Sequence, residues 1–114
     1  MSNCIFCQIA EGKLQTQFLF QDQEIVAFAD INPQAPHHIL LIPRKHITTL
    51  NDLTSDDINL MGKLYLTAKD LAKKLNIEQS GYRTVINCNQ QGGQAVYHLH
   101  LHLLGGRQMN WPPG

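Results

Sequence analysis

Three histidines stand at alternate positions in His98-Leu99-His100-Leu101-His102-Leu103-Leu104, and they are half of the six in the chain. Strict alternation of polar and apolar residues is the period of an extended strand, whose side chains point to opposite faces in turn. Three imidazoles therefore share one face and three leucines the other. With the leucines buried against a core, the imidazoles form a row about 6 to 7 Å apart on the opposite face, from the rise of a strand. Loose surface histidines need no such period. A neutral imidazole can attack an electrophile, bind a metal or carry a proton near neutral pH. The pattern predicts a site of chemistry on one face of a strand.

A second group is Cys4-Ile5-Phe6-Cys7. The chain holds three cysteines, an odd number, and its start lacks a basic segment followed by an apolar run, so a disulfide framework is not expected. The spacing suits half of a tetrahedral zinc site needing two ligands from elsewhere, or two buried thiols of a short helix. Cys88 reads as a small buried hydrophobe.

The elements that must position these residues follow from the rest of the chain. Its 114 residues, 43% of them hydrophobic, fit one domain spanning 1–114 around one core. Nine basic residues balance nine acidic ones, so no net field draws nucleic acid or an anionic membrane. No window approaches the roughly 20 apolar residues that span a bilayer. A soluble, cytoplasmic protein with neither nucleic acid nor membrane as partner is expected. Cys4 to Ala10 suits a short helix ending before Gly12. Phe18 to Phe20 and Glu24 to Ala29 read as antiparallel strands around the glycine-free turn Gln21-Asp22-Gln23. Two prolines make Asp30 to Pro36 a loop, with Asp30 at the strand end able to face a ligand. His37 to Pro43 is a central buried strand that carries His38 at its start. Arg44 and Lys45 read as a solvated strand end, and His46 stays ambiguous.

From Thr54 the period becomes helical: Ile58, Met61, Leu64, Ala68, Leu71 and Leu75 recur three or four apart, with Thr54 or Ser55 as N-cap and Asn76 closing the helix. Leu60, Tyr65 and Ala72 widen the apolar stripe, which predicts packing on the sheet and on something else, such as a second copy. Tyr82 to Asn87 reads as a strand, joined to the histidine strand in a last hairpin by the polar turn Asn89 to Gln94. Gly105-Gly106 ends that strand. In the tail, Arg107 to Gly114, Trp111 is expected to dock on its own or a partner's surface.

Taken together, His-x-His-x-His with its apolar neighbours, Asp30-Ile31-Asn32-Pro33-Gln34-Ala35-Pro36, Gly92-Gly93-Gln94, Gly105-Gly106-Arg107-Gln108-Met109 and Trp111-Pro112-Pro113-Gly114 make a chain that resembles the histidine triad (HIT) superfamily, and within it the Hint branch. The resemblance implies an α+β fold: a five-stranded antiparallel sheet with one long and one short helix, continued across a homodimer, the tail (107–114) near the active site. It implies hydrolysis of the P–N bond of purine nucleoside phosphoramidates, aminoacyl adenylates included. The middle histidine, His100, matches the nucleophile that forms a nucleotidyl intermediate. His102 would contact a phosphate oxygen and help protonate the leaving amine. His38 would join the relay, and His98 completes the set.

The same resemblance places the ribose hydroxyls on Asp30 and the base between Ile5, Phe6, Ile9, Phe28, Ile31 and Leu40. Gly93, Gln94 and Ala95 match the phosphate-side loop and Asn87 its side-chain amide contact; many relatives carry serine where this chain has Ala95, so one hydroxyl donor is missing. No cofactor is implied for the reaction. Some bacterial members bind structural zinc through four positions that correspond here to Cys4, Cys7, His46 and His98. The competing readings are a dinucleoside polyphosphate hydrolase of the Fhit type, a related nucleotidyl transferase, and a nucleotide-binding regulatory adaptor. An adaptor would have no physical need for an intact triad.

Overall fold

A computed structural model describes residues 3–114. Short helix α1 (Ile5–Ala10) leads into strands β1 (Phe18–Gln21), β2 (Ile25–Ala29) and β3 (His37–Pro43); helix α2 (Ile58–Lys74), strand β4 (Tyr82–Val85), the single-turn helix α3 (Asn89–Gly92) and strand β5 (Leu101–Gly105) follow. The five strands form one sheet in the order β1-β2-β3-β5-β4, with every neighbouring pair antiparallel. Among the described residues no helix is long and apolar enough to cross a membrane.

The unbroken apolar runs of β2 and β3 are explained by burial on both faces. Ile25, Ala27, Ile39, Leu41, Leu101 and Leu103 face Leu64, Ala68 and Leu71 of α2. Val26, Phe28, Leu40 and Ile42 face Phe6, Ile9 and Ala10 of α1. The histidines share this second face, since Leu40 pairs with His102 and His38 with Leu104. His38 and His102 are thus diagonal neighbours, within reach of one another.

Several local expectations change. The ladder of β5 starts at Leu101, so His98 and His100 precede it in irregular chain that still keeps the alternation: Leu99 joins the α2-side core while the histidines turn the other way. Nor do they form an open row, because α1 covers them: His98 is 0% exposed and His100 6%, with the Phe6 ring edge-on to both. The turn in β1–β2 dispenses with glycine because Asp22 Oδ1 accepts from the N–H groups of Glu24 and Ile25, both at 2.8 Å. Arg44 and Lys45 are not merely solvated. Arg44 donates to Asp22 O at 2.8 Å and also to Ala10 O, tying α1 to the hairpin, while Lys45 meets the buried Asp57 at 2.7 Å.

Thr54 does serve as an N-cap, but of a 3-10 turn (Ser55–Asp57) that precedes α2, and Asn76 follows α2 in a left-handed conformation, φ 60°. Leu60 and Ala72 pack inward, whereas Ile58, Tyr65 and Leu66 stay exposed. Asn89 to Gln94 is no tight hairpin turn. With Val85 opposite His102, the β4–β5 connection needs α3 and an extended run. Cys88 is half-buried. Trp111 is 81% exposed, its ring 5.9 Å from the Arg83 guanidinium, so within this chain it does not dock as expected. A flat proline-flanked tail offers it no apolar recess.

Candidate active site and metal centre

A cavity of about 640 Å³ opens between α1, the end of β2 and the histidine segment. Ile5, Phe6, Ile9, Phe28 and Leu40 form its apolar wall, and Asp30, His38, Ala95, His100 and His102 stand around its polar end. Ile31 reaches only the mouth and is fully exposed. Gln15, Thr16, Gln17, Asn32 and Gln34 also line it and were not singled out from the sequence; the first three come from an irregular segment with no motif or period to mark them. A volume of this size and an apolar wall with a few polar groups at one end suit a small organic ligand.

The proton on each ring can be assigned from its partners. His100 Nδ1 lies 2.7 Å from His98 O, so it must donate there, and the lone pair is left on Nε2. His38 Nδ1 accepts the Gln34 N–H at 3.0 Å. Its Nε2 lies 2.9 Å from His102 Nδ1 and 3.4 Å from Asp30 Oδ2. Burial lowers the His38 pKa against the opposing pull of Asp30. Burial, then the neighbouring rings of His100 and His38, lowers His102 to about 4. Both rings are therefore neutral at pH 7. His102 Nε2 is buried with no hydrogen-bond partner. A buried polar atom left unpaired is costly, so its presence at a cavity marks a place for a ligand atom.

Asn87, Gly93 and Gln94 do not line the cavity. Gln94 is buried, with Oε1 accepting from Asn89 N at 2.8 Å and Nε2 donating to Thr48 O at 2.8 Å and Val96 O at 3.2 Å. The backbone N–H groups of Gly93 and Gln94 are also used, donating to Gln90 O and Asn89 O. This segment braces itself and presents Ala95 and Val96 to the cavity.

His98 belongs to a different cluster. Donor atoms of Cys4, Cys7, His46 and His98 all lie within 4.8 Å of one another. Nδ1 of His98 is 3.3 Å from Cys4 Sγ and 3.5 Å from Cys7 Sγ, and Nδ1 of His46 is 3.3 Å from Cys7 Sγ. His98 Nε2 donates to Pro43 O at 2.8 Å, which leaves the Nδ1 lone pair aimed at the thiols. A carbonyl that fixes the ring in this way is the usual outer partner of a metal-binding imidazole. Burial, then Cys4, pushes the Cys7 thiol up, so a cation has to displace its proton. Two sulfurs and two nitrogens that converge, a complete four-ligand set, fit a structural zinc ion. Asp30, His38 and His102 also bring three donors within 4.8 Å, but there the Gln34 N–H obliges neutral His38 to carry its proton on Nε2, the atom a metal would need. That trio passes hydrogen bonds and does not fit a cation.

The comparisons agree with this geometry. The family model described as "Scavenger mRNA decapping enzyme C-term binding" matches residues 3–111. A "HIT family hydrolase" from Legionella pneumophila Philadelphia 1, known as a crystal structure, superposes with a TM-score of 0.96 at 54% identity, covering 98% of this chain and 100% of that one. A "14 kDa zinc-binding protein" of Zea mays is 47% identical over 99% of this chain and 89% of its own length. An "Uncharacterized HIT-like protein" of Buchnera aphidicola is 44% identical over 96% and 98%. With matches that run nearly end to end and an alternating histidine segment that brings His100 and His102 to one cavity, the chain belongs to the histidine triad (HIT) family.

Proposed function

We propose that this chain is a nucleotide-binding hydrolase that cleaves the P–N bond of purine nucleoside phosphoramidates, working in the cytoplasm as a single-domain protomer of a homodimer. The observation that carries this reading is the pairing of His100, whose Nε2 keeps its lone pair, with the unpartnered buried Nε2 of His102 at the same end of the cavity. A nucleophile and a donor side by side suit attack on phosphorus. The hydrolase named among its relatives supports the reaction class.

The apolar wall takes the base, and Asp30 beside it takes the ribose hydroxyls, which a carboxylate can accept together. His100 Nε2 forms a bond to phosphorus as the P–N bond of the substrate breaks. His102 donates from Nε2 to a non-bridging oxygen; the bound anion favours protonation of the His38–His102 pair, and that proton leaves with the amine. Water then attacks phosphorus, passing one proton to the His38–His102 pair, as the bond to His100 breaks and nucleoside monophosphate is released. His98 acts through its carbonyl and not its ring. Its ring, with Cys4, Cys7 and His46, would hold a structural zinc that ties α1 to the sheet, in keeping with the zinc-binding relative. The exposed Tyr65 and Leu66 on α2 and the free edge of β4 are where a second copy would extend the sheet.

A side-by-side assay of adenosine phosphoramidate, lysyl adenylate and diadenosine polyphosphates with wild type and His100→Ala tests the reading. Turnover of the first two, lost in the variant, is expected. Preference for polyphosphates would move the chain to the rival hydrolase, and full turnover by the variant would remove the nucleophile.

A further inference from the structure

The proton pattern of the His38–His102 pair turns on one backbone N–H, that of Gln34. A backbone N–H can only donate, so the 3.0 Å contact from Gln34 N makes His38 Nδ1 an acceptor. The single proton of the neutral ring then sits on Nε2, and His102 Nδ1, 2.9 Å away, must be bare to receive it. His102 is left with its proton on Nε2, the buried atom without a partner. If His38 Nδ1 carried the proton instead, every assignment along this line would reverse, and His102 would turn a lone pair toward an incoming anion.

The Gln34 backbone needs holding, because it lies in a loop with a proline on either side of the pair Gln34-Ala35 and Gln34 itself is exposed. Asp30 Oδ1 accepts from Asn32 N at 2.9 Å at one end, and Gln34 Nε2 donates to Asn32 O at 3.1 Å. From outside the loop, Arg107 Nε donates to Gln34 O at 3.0 Å, and its Nη1 is braced on Gln108 O at 3.1 Å. Gly106 brings the tail in: its φ is +95°, and a Cβ there would come within 2.9 Å of Pro36 Cβ, so only glycine allows this approach.

We propose that Arg107 is a positioning residue for the reaction: by holding the Gln34 carbonyl, which belongs to the next peptide but hinges on the same α-carbon, it fixes the Gln34 backbone so that its N–H stays on His38 Nδ1 and His102 is presented to the cavity with its proton on Nε2. The kinetic part rests on the proposed function, but the proton pattern does not. Nitrogen-15 NMR of histidine-labelled, substrate-free full-length protein reads it directly. Wild type is expected to show protonated Nε2 and bare Nδ1 in both His38 and His102. Arg107→Ala should give a mixture of tautomers in both rings, and Arg107→Lys, which keeps a donor at that carbonyl, should recover part of the wild-type pattern. Gln34→Pro, which deletes the N–H, should likewise give a mixture of tautomers in both rings.

With adenosine phosphoramidate, kcat should fall about 10-fold in Arg107→Ala, part of the roughly 100- to 10,000-fold that a positioned proton donor contributes. Its KM should stay within about 2-fold, since ribose and base contacts are untouched. Wild-type tautomers in Arg107→Ala would overturn the proposal, whether or not kcat fell, and that arm decides alone if Gln34→Pro does not fold. Shifted tautomers in a protein that hydrolyses no phosphoramidate would uphold the clamp and overturn the substrate reading instead.

Discussion

Two histidine clusters lie next to each other on the α1 side of one sheet, and they put the same side chain to opposite uses. In Cys4, Cys7, His46 and His98 the lone pairs of two imidazoles converge with two sulfurs. In His38, His100 and His102 lone pairs and N–H groups alternate, ending on one bare nitrogen and one unpaired N–H at the cavity. The residue type is shared, so the difference comes from what meets the other ring nitrogen: Pro43 O for His98, His98 O for His100, Gln34 N for His38. A carbonyl makes the far nitrogen a ligand or nucleophile; an N–H makes it a donor.

The contrast breaks most sharply at His100. His100→Ala should lower turnover of adenosine phosphoramidate by at least about 1,000-fold, as loss of a nucleophile does, while leaving bound zinc unchanged. Elemental analysis beside a rate measurement checks both, and a loss of zinc in this variant would show the two clusters to be one. Cys7→Ser does the converse. Protein purified without chelator or added metal should hold one zinc per chain, and the variant none. Its Tm should fall on the order of 10 °C, from the loss of about 3 kcal/mol of linked binding energy. Equal Tm values with and without chelator would deny the cluster its structural part.

The pH dependence of stability sharpens the comparison next. Burial holds folded His102 at about 4, below the 6.5 of an unperturbed histidine. Between those values the unfolded chain binds a proton that the folded one does not, so stability is full above about pH 6.5 and is lost as pH falls toward 4. In His102→Gln the slope of unfolding free energy against pH in that window should drop by about one proton. An unchanged slope would mean that His102 is not held neutral. The smallest effect belongs to Ala95. Restoring a hydroxyl with Ala95→Ser should lower KM about 5-fold, the roughly 1 kcal/mol of one ordinary solvent-exposed hydrogen bond. No change would place the phosphate away from this loop.

Where the sequence misled, the cause was local reading of residues whose partners are distant. Arg44 and Lys45 looked like a solvated strand end because Ala10, Asp22 and Asp57, which they meet, are 12 to 34 positions away. Gln34 and Arg107 carried no signal of their own, since the group that matters in one is a peptide N–H, and in the other the partner is a carbonyl 73 positions back.

From residue order alone came the alternation of His98 to Leu104, the central buried β3, the helical period from Ile58, and the thiol spacing of Cys4 and Cys7. Each is set by side-chain direction along a single element, a property with a fixed period. Which nitrogen of each histidine holds a proton, and therefore which ring can bind a metal, attack or donate, was decided only when β3, the 30–36 loop and the segment before β5 came together. That choice depends on backbone donors and acceptors, which every residue carries alike and which only the folded chain brings to a particular ring.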